Sequence, residues 1–178
     1  STSNVFVYSP QSLTWCTAAS LPIVNNHGAA AVAGGVLFAF GGLSHRVLVS
    51  NPPANSWAEV ASMNFTHGDT AAVAVINNRV YVAGGSGSAT QREVEVYDPA
   101  ANTWTPLAPM NVGRNHCGGG TIDGKFYVVG GRGFAGSDVA VEVYDPGAGS
   151  WTTRAPLPTG RSGVGTGVVN NRLYVFGG

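Results

Sequence analysis

The sequence is poor in charge, and its charges cancel. Only 10% of its 178 residues are Asp, Glu, Lys or Arg, with nine acidic residues against nine basic ones. A neutral chain lacks the excess positive potential that nucleic-acid binders and polybasic membrane binders need, so we expect neither partner. No apolar run approaches the ~20 residues that cross a bilayer, so we expect no membrane span.

Cysteine is also scarce, with Cys16 and Cys117 alone. They fall in different predicted units, whereas a disulfide needs Cα atoms within ~7 Å of each other. We therefore predict two free, buried and unreactive thiols. The low charge, the many small polar residues and one sequon beginning at Asn64 favour an extracellular or secreted location, with a cytoplasmic one as the alternative.

Glycine and tryptophan, by contrast, recur with a regular step. Trp15, Trp57, Trp104 and Trp151 are separated by 42, 47 and 47 residues. Glycine pairs at 41–42, 84–85, 130–131 and 177–178 follow steps of 43, 46 and 47 residues. A period of about 40 to 50 residues indicates a repeat array such as a solenoid or a propeller.

Each unit has the signals of four short strands. A β-branched and aromatic run, such as Val80–Ala83, leads to the glycine pair. Each of these runs follows a dipeptide that tolerates positive φ: Gly34-Gly35, Asn77-Asn78, Asp123-Gly124 or Asn170-Asn171. Such dipeptides favour a tight hairpin of strands a and b. Strand c is an alternating run closed by Asp-Pro, as in Val94–Tyr97, and strand d starts at the tryptophan. The unit around Ser50 lacks both Tyr and Asp, so we expect its outer strands to be irregular.

These motifs resemble kelch repeats: an aromatic-x-x-Gly-Gly strand, then Val-x-Val-Tyr-Asp-Pro, then Trp. Residues 94–104 and 141–151 carry the second part in full. The resemblance implies an all-β propeller of four-stranded blades. We divide the single domain into complete units at 21–62, 63–109 and 110–157. Residues 1–20 supply strands c and d, and 158–178 supply strands a and b, so we predict that the two ends complete one shared blade.

The number of blades in the ring is open at this point, because kelch propellers usually have six or seven. The four units could close as a four-bladed ring within one chain. Two chains could instead self-associate into an eight-bladed ring, where a two-fold axis repeats the same contact. The sequence could also be a fragment of a longer propeller.

The resemblance places ligands on the face made by the d-to-a and b-to-c loops. Alignment on the glycine pairs puts two sets of equivalent residues at the channel mouth: Asn25, Gly68, Arg114 and Arg161, then His27, Thr70, His116 and Gly163. His67 and Asp69 flank the second unit. Kelch-like proteins repeat arginine at the first position, so Arg114 and Arg161 are candidates to bind a carboxylate, or else they bond local carbonyls. Phe134, at a predicted loop tip, is a candidate contact residue.

No cofactor or metal is predicted. Gly118–Gly120 and the Gly163-x-Gly165 run only superficially resemble phosphate loops, because no helix follows them. His27 and His116 would face each other across a four-bladed ring, but a metal site normally needs three protein ligands.

The absence of catalytic motifs favours a non-catalytic module that binds a protein, peptide or glycan. Two alternatives stay open. One is the propeller of a secreted kelch-type oxidase or hydrolase, and the other is a structural subunit of an extracellular assembly.

Overall fold

The computed structural model describes residues 3–42, 44–87 and 91–178, and its regular structure is strand, apart from one short 3₁₀ turn at Pro52–Ala54. The strands are β1 (Val5–Ser9), β2 (Thr14–Ala18), β3 (Gly28–Ala33), β4 (Val36–Gly41), β5 (Val47–Asn51), β6 (Ser56–Val60), β7 (Ala72–Ile76), β8 (Arg79–Ala83), β9 (Val94–Asp98), β10 (Thr103–Pro106), β11 (Gly118–Ile122), β12 (Lys125–Val129), β13 (Arg132–Gly133), β14 (Gly136–Ser137), β15 (Val141–Asp145), β16 (Ser150–Thr153), β17 (Val164–Val169) and β18 (Arg172–Gly177).

Three antiparallel sheets of four strands form complete blades, as the sequence predicted. Their orders are β3-β4-β5-β6, β7-β8-β9-β10 and β11-β12-β15-β16, from the innermost strand outward. Strands β13 and β14 make a small hairpin within the b-to-c loop of the third blade. No helix in the described ranges has the length and apolarity needed to span a bilayer.

The predicted hairpin turns between strands a and b are confirmed. Both central residues have positive φ in every unit: 58° and 75° at Gly34-Gly35, and 48° and 63° at Asn77-Asn78. Asp123-Gly124 and Asn170-Asn171 follow the same pattern. This is the type I′ geometry, whose twist matches that of the flanking strands.

The two chain ends do not complete a shared blade, so this part of the prediction is wrong for the structure. β1-β2 and β17-β18 are separate two-stranded sheets. Each packs on its own neighbour: Trp57 Nε1 of the first complete blade donates to Ala19 O after β2, and Thr166 Oγ1 on β17 donates to Gly119 O of the third. The described chain is therefore three blades flanked by two half-blades.

The core lies between neighbouring blades. One cluster joins the first and second blades around Phe38, Phe40 and Tyr97, and another joins the second and third around Tyr81 and Phe126. In each complete blade the tryptophan Nε1 donates to an alanine carbonyl of the preceding unit, at 2.8–2.9 Å. The aromatic residues of the complete blades therefore pack between blades.

Two smaller expectations are corrected. The unit around Ser50 is regular, because β5 and β6 pair over five residues and the 3₁₀ turn at Pro52–Ala54 replaces the Asp-Pro turn. Both cysteines are free, but Cys16 is exposed on β2 and only Cys117 is buried.

Candidate binding face

Arg114 is buried beneath the loop face rather than presented on it. It is 0% exposed, its Nη2 donates to Glu142 Oε2 at 2.8 Å, and its Nη1 donates to Ala140 O at 2.9 Å. The Glu142 carboxylate also accepts the backbone N–H groups of Asn111 and Val112. The carboxylate that Arg114 binds therefore belongs to its own blade, and the ion pair holds the inter-blade loop against strand c.

His67 makes the same kind of contact one unit earlier. It is 1% exposed, with Nε2 3.1 Å from Glu95 Oε1 and Nδ1 2.6 Å from Gly84 O. Glu95 accepts the backbone N–H groups of Asn64 and Phe65. Burial acts to raise the pKa of the Glu95 carboxyl, but the hydrogen bonds from His67 and Asn64 outweigh it, so this pKa lies below its usual value.

These contacts correct the alignment of the units. Alignment on the glycine pairs matched Arg114 with Gly68, whereas the shared partner on strand c matches it with His67. The second unit has one extra residue before its glycine pair, and both Asp69 and Thr70 adopt left-handed φ there, at 49° and 57°. Neither Arg114 nor His67 is available to a ligand, because each side chain is enclosed and bonded internally.

His27, Asp69 and His116, from three successive units, meet at the channel mouth. His27 Nδ1 lies 3.2 Å from Asp69 Oδ1, and the two imidazole rings have centroids 5.9 Å apart. Backbone bonds tie the loops together, since His116 N donates to Asp69 O and Thr70 N donates to His27 O. The side chains of His27 and Asp69 are 54% and 33% exposed, so a ligand can reach them.

Asp69 is the anionic centre of this cluster. The neighbouring Ser86 hydroxyl, then the His27 contact, hold the pKa of the Asp69 carboxyl below its usual value, although burial acts in the opposite direction. The Ser86 hydroxyl is close to the carboxylate without meeting hydrogen-bond geometry. The mouth therefore offers a carboxylate flanked by two imidazoles.

The described side chains of this cluster do not have the arrangement of a hydrolase triad or of a metal site. A triad needs the serine bonded to the imidazole, but the Ser86 hydroxyl lies beside the carboxylate and makes no hydrogen bond to any residue that the structure describes. Within the described ranges, no three His, Cys, Asp or Glu side chains converge in a way that could hold a metal ion. What the cluster can do is donate and accept hydrogen bonds with a bound partner.

A comparison with protein families identifies the architecture. The family model of the KLHDC2/KLHL20/DRC7 kelch-repeats domain matches residues 1–178. The chain belongs to this family. Kelch domains in general bind proteins. A search of curated proteins gives no match.

Solved structures agree on the fold. The chain superposes on the structure of a protein named YjhT with a TM-score of 0.86 at 17% identity, over 98% of this chain and 68% of that one. At this identity the likeness is one of fold. The three blades and two half-blades thus share the fold of about two thirds of that longer chain.

The other predicted residues of the kelch face are dispersed. Asn25 is partly buried, and its Oδ1, packed close to Gly28 and Gly42, accepts no hydrogen bond from the described part of the chain. Arg161 is partly exposed, and its Nη1 donates to Gly177 O at 2.7 Å. Phe134 stands at the tip of the β13–β14 hairpin and is 87% exposed, as predicted for a loop tip.

The residues that sequence reasoning missed are Glu95 and Glu142. Both lie on alternating strands, where an acidic residue is ordinary on a solvent-facing position. The available signal was their 47-residue separation, the same as that between His67 and Arg114 and between Trp104 and Trp151. An acidic residue and a basic one that recur together with the repeat period indicate a pair in contact.

Proposed function

We propose that this kelch domain is a recognition module that binds a protein or peptide segment on its loop face and catalyses no reaction. The observation that carries the proposal is Phe134, whose side chain is 87% exposed on a short hairpin of that face. Burial of an aromatic side chain on binding supplies a large part of the affinity of a typical interface.

A groove beside Phe134 supports the same proposed function. Phe134, Val112 and Val139 line it together with glycines and Asp138. An apolar ligand side chain could pack on the valines and cover Phe134, while the Asp138 carboxylate orients the ligand by hydrogen bonds.

The cluster of His27, Asp69 and His116 at the channel mouth supplies hydrogen-bonding groups on the same face. His27, Asp69 and His116 come from d-to-a loops, which share this face with the b-to-c loop that carries Phe134. A ligand segment that covers Phe134 and extends toward the channel would meet an apolar contact at one end and hydrogen-bonding groups at the other. The glycan alternative and the extracellular location stay predictions from the sequence.

The test is a peptide-display selection against the intact chain, followed by calorimetric titration of a selected peptide. Phe134→Ser should weaken binding about tenfold or more, because an interface hot spot is lost. The matched control is Leu13→Ser, which removes another large exposed apolar side chain, 75% exposed, in the β1–β2 turn on the opposite face. Leu13→Ser should leave the affinity unchanged.

Equal affinity of the Phe134→Ser variant and the wild type would contradict the proposal. So would a selection that yields no peptide while an oligosaccharide array binds the chain. The second result would favour the glycan alternative.

A further inference from the structure

An asparagine in the c-to-d turn accepts hydrogen bonds from the preceding unit in the first and second blades. In the second blade, Asn102 Oδ1 accepts the Ala61 N–H of the first blade and the Tyr97 hydroxyl of its own strand c, both at 2.9 Å. In the first blade, Asn55 Oδ1 accepts the equivalent N–H, that of Ala19, at 2.8 Å. A carboxamide oxygen at this position therefore bridges two neighbouring units.

The third blade has a glycine where the other two have this asparagine. Gly149 follows Tyr144 by five residues, the same spacing as in the second blade. Its left-handed φ of 64° is close to the 52° of Asn102. A Cβ on Gly149 would meet nothing within 4 Å. The turn thus keeps the backbone of the repeat and leaves the place of the carboxamide open.

Both donors that the carboxamide would satisfy are present in the third blade. Tyr144 is only 3% exposed, and its hydroxyl makes no hydrogen bond to any residue that the structure describes. The Ala108 N–H, which is equivalent to that of Ala61, makes none either within the described ranges. The Ala108 carbonyl does accept Trp151 Nε1 at 2.8 Å, so this alanine has the position usual in the repeat. Two donors therefore point to one missing acceptor, which a ligand can supply.

Tyr144 also borders a cavity of about 300 Å³ between the second and third blades, on the face opposite the loops. Its apolar wall consists of Val96, Leu107 and Pro146. Tyr81, whose ring centroid lies 6.2 Å from that of Tyr144, adds a second hydroxyl, whereas the equivalent side chain of the first blade is a phenylalanine. The cavity has room for an amino-acid residue beside the Tyr144 hydroxyl.

The charges around Tyr144 favour a neutral acceptor over an anion. Asp145 is the next residue, and its carboxylate binds the Lys125 ammonium at 2.6 Å. The other cation beside the cavity, Arg79, is paired with Asp98 at 2.8 Å. Burial, followed by the neighbouring phenol of the second blade and by Asp145, raises the pKa of the Tyr144 phenol. The Asp145 carboxylate would repel a carboxylate at this hydroxyl, but it would not repel a carboxamide oxygen.

We propose that the gap between the second and third blades binds the asparagine side chain of a partner polypeptide, whose carboxamide oxygen accepts the Tyr144 hydroxyl and the Ala108 N–H. The rest of that residue packs in the cavity on Leu107 and Pro146. The site lies on the opposite face from Phe134, so it is independent of the function proposed for the loop face.

The test is an NMR titration of the intact ¹⁵N-labelled chain with N-acetyl-asparagine methylamide, followed at the Ala108 amide. The aspartate and leucine analogues of this probe are the ligand controls. We expect the asparagine probe to bind with a Kd of about 1–10 mM, as a fragment of this size does, and to move the Ala108 amide proton downfield. The two analogues should bind at least about fivefold more weakly, because neither can form both hydrogen bonds without repulsion or loss.

Protein variants localise the effect. Gly149→Asn should abolish binding, because the new side chain takes the place of the ligand's. It should also raise the thermal unfolding midpoint by about 2–4 °C through its own bonds to Tyr144 and Ala108. Tyr144→Phe keeps the ring but removes one donor, and should weaken binding about fivefold.

The matched control is Gly124→Asn, in the a-to-b turn of the same blade. Gly124 has a φ of 68°, and a Cβ there would also meet nothing within 4 Å. The same substitution is therefore made on a similar backbone, away from the cavity. It should leave the affinity for the asparagine probe unchanged.

Three outcomes would overturn the proposal. These are no shift of the Ala108 amide at about 100 mM probe, equal binding of the asparagine and aspartate probes, and binding that survives Gly149→Asn. Circular dichroism shows whether each variant is folded. If Gly149→Asn does not fold, Tyr144→Phe decides, and wild-type affinity in that variant would equally overturn the proposal.

Discussion

Arg114 and Arg161 stand at the same position of consecutive units, 47 residues apart, and have opposite environments. Arg114 is fully buried and paired with Glu142, whereas Arg161 is partly exposed and bonds one carbonyl. The residue type comes from the repeat, but its role comes from what lies beside it. For Arg114 that neighbour is strand c of the same blade, whereas no described strand c pairs with β17-β18.

The largest expected difference in mutational stability loss between a complete blade and a half-blade concerns Arg114 and Arg161. Arg114→Leu should cost about 3–5 kcal/mol of unfolding free energy, because it leaves the buried Glu142 carboxylate without its cation. Arg161→Leu should cost less than about 1 kcal/mol, because water already solvates that guanidinium. Urea unfolding of both variants measures this, and equal losses would show that the buried pair contributes no more than the exposed residue.

Two equivalent tyrosines, Tyr81 and Tyr174, are expected to give the next largest difference in stability loss on mutation. Tyr81 is 7% exposed in the second blade and Tyr174 is 52% exposed in the half-blade. Tyr81→Ala should cost about 3 kcal/mol through the cavity it leaves, and Tyr174→Ala about 1 kcal/mol or less. Thermal unfolding of the two variants checks this. A larger loss for Tyr174→Ala would mean that the half-blade is covered in solution.

Two equivalent glycines, Gly84 and Gly177, allow a more direct comparison of a complete blade with a half-blade, because their φ angles are nearly equal. Gly84 and Gly177 have φ of 72° and 73°. A Cβ on Gly84 would lie 2.4 Å from Arg114 O of the next unit, whereas one on Gly177 would meet nothing within 4 Å. Gly177→Ala should cost about 1 kcal/mol through left-handed strain alone, and Gly84→Ala about 2 kcal/mol more through the clash. Differential scanning calorimetry measures both, and similar costs would contradict the clash.

The smallest expected effect is a pH dependence that belongs to a complete blade. The pKa of the Glu95 carboxyl lies below its unfolded value, so the unfolded chain takes up a proton first as the pH falls. The stability that Glu95 contributes is therefore present above its unfolded pKa, roughly 4.3, and is lost as the pH falls through the folded pKa. Comparing the urea midpoints at pH 7 and pH 4, Glu95→Gln should lose less on acidification than the wild type. An equal loss would assign the acid sensitivity to other carboxylates.

Much of the fold was predictable because its signals are local. The dipeptide Asn77-Asn78 tolerates two successive left-handed residues better than most dipeptides do, so its hairpin could be predicted from the local sequence. The repeated Trp and glycine pairs likewise predict blades. The candidate site was less predictable, because one extra residue at Asp69-Thr70 shifted the alignment and hid the match of His67 with Arg114.

The all-β repeat, the hairpin turns and the strand order within each blade follow from the amino-acid sequence, since these depend on contacts between residues close in the chain. The packing of the blades settles three further points: which arginine is buried, that Asp69 rather than His67 joins His27 and His116 at the channel mouth, and that β1-β2 and β17-β18 form separate sheets. Those outcomes depend on how one blade packs against the next. That packing brings together residues more than 40 positions apart, and no local pattern encodes it.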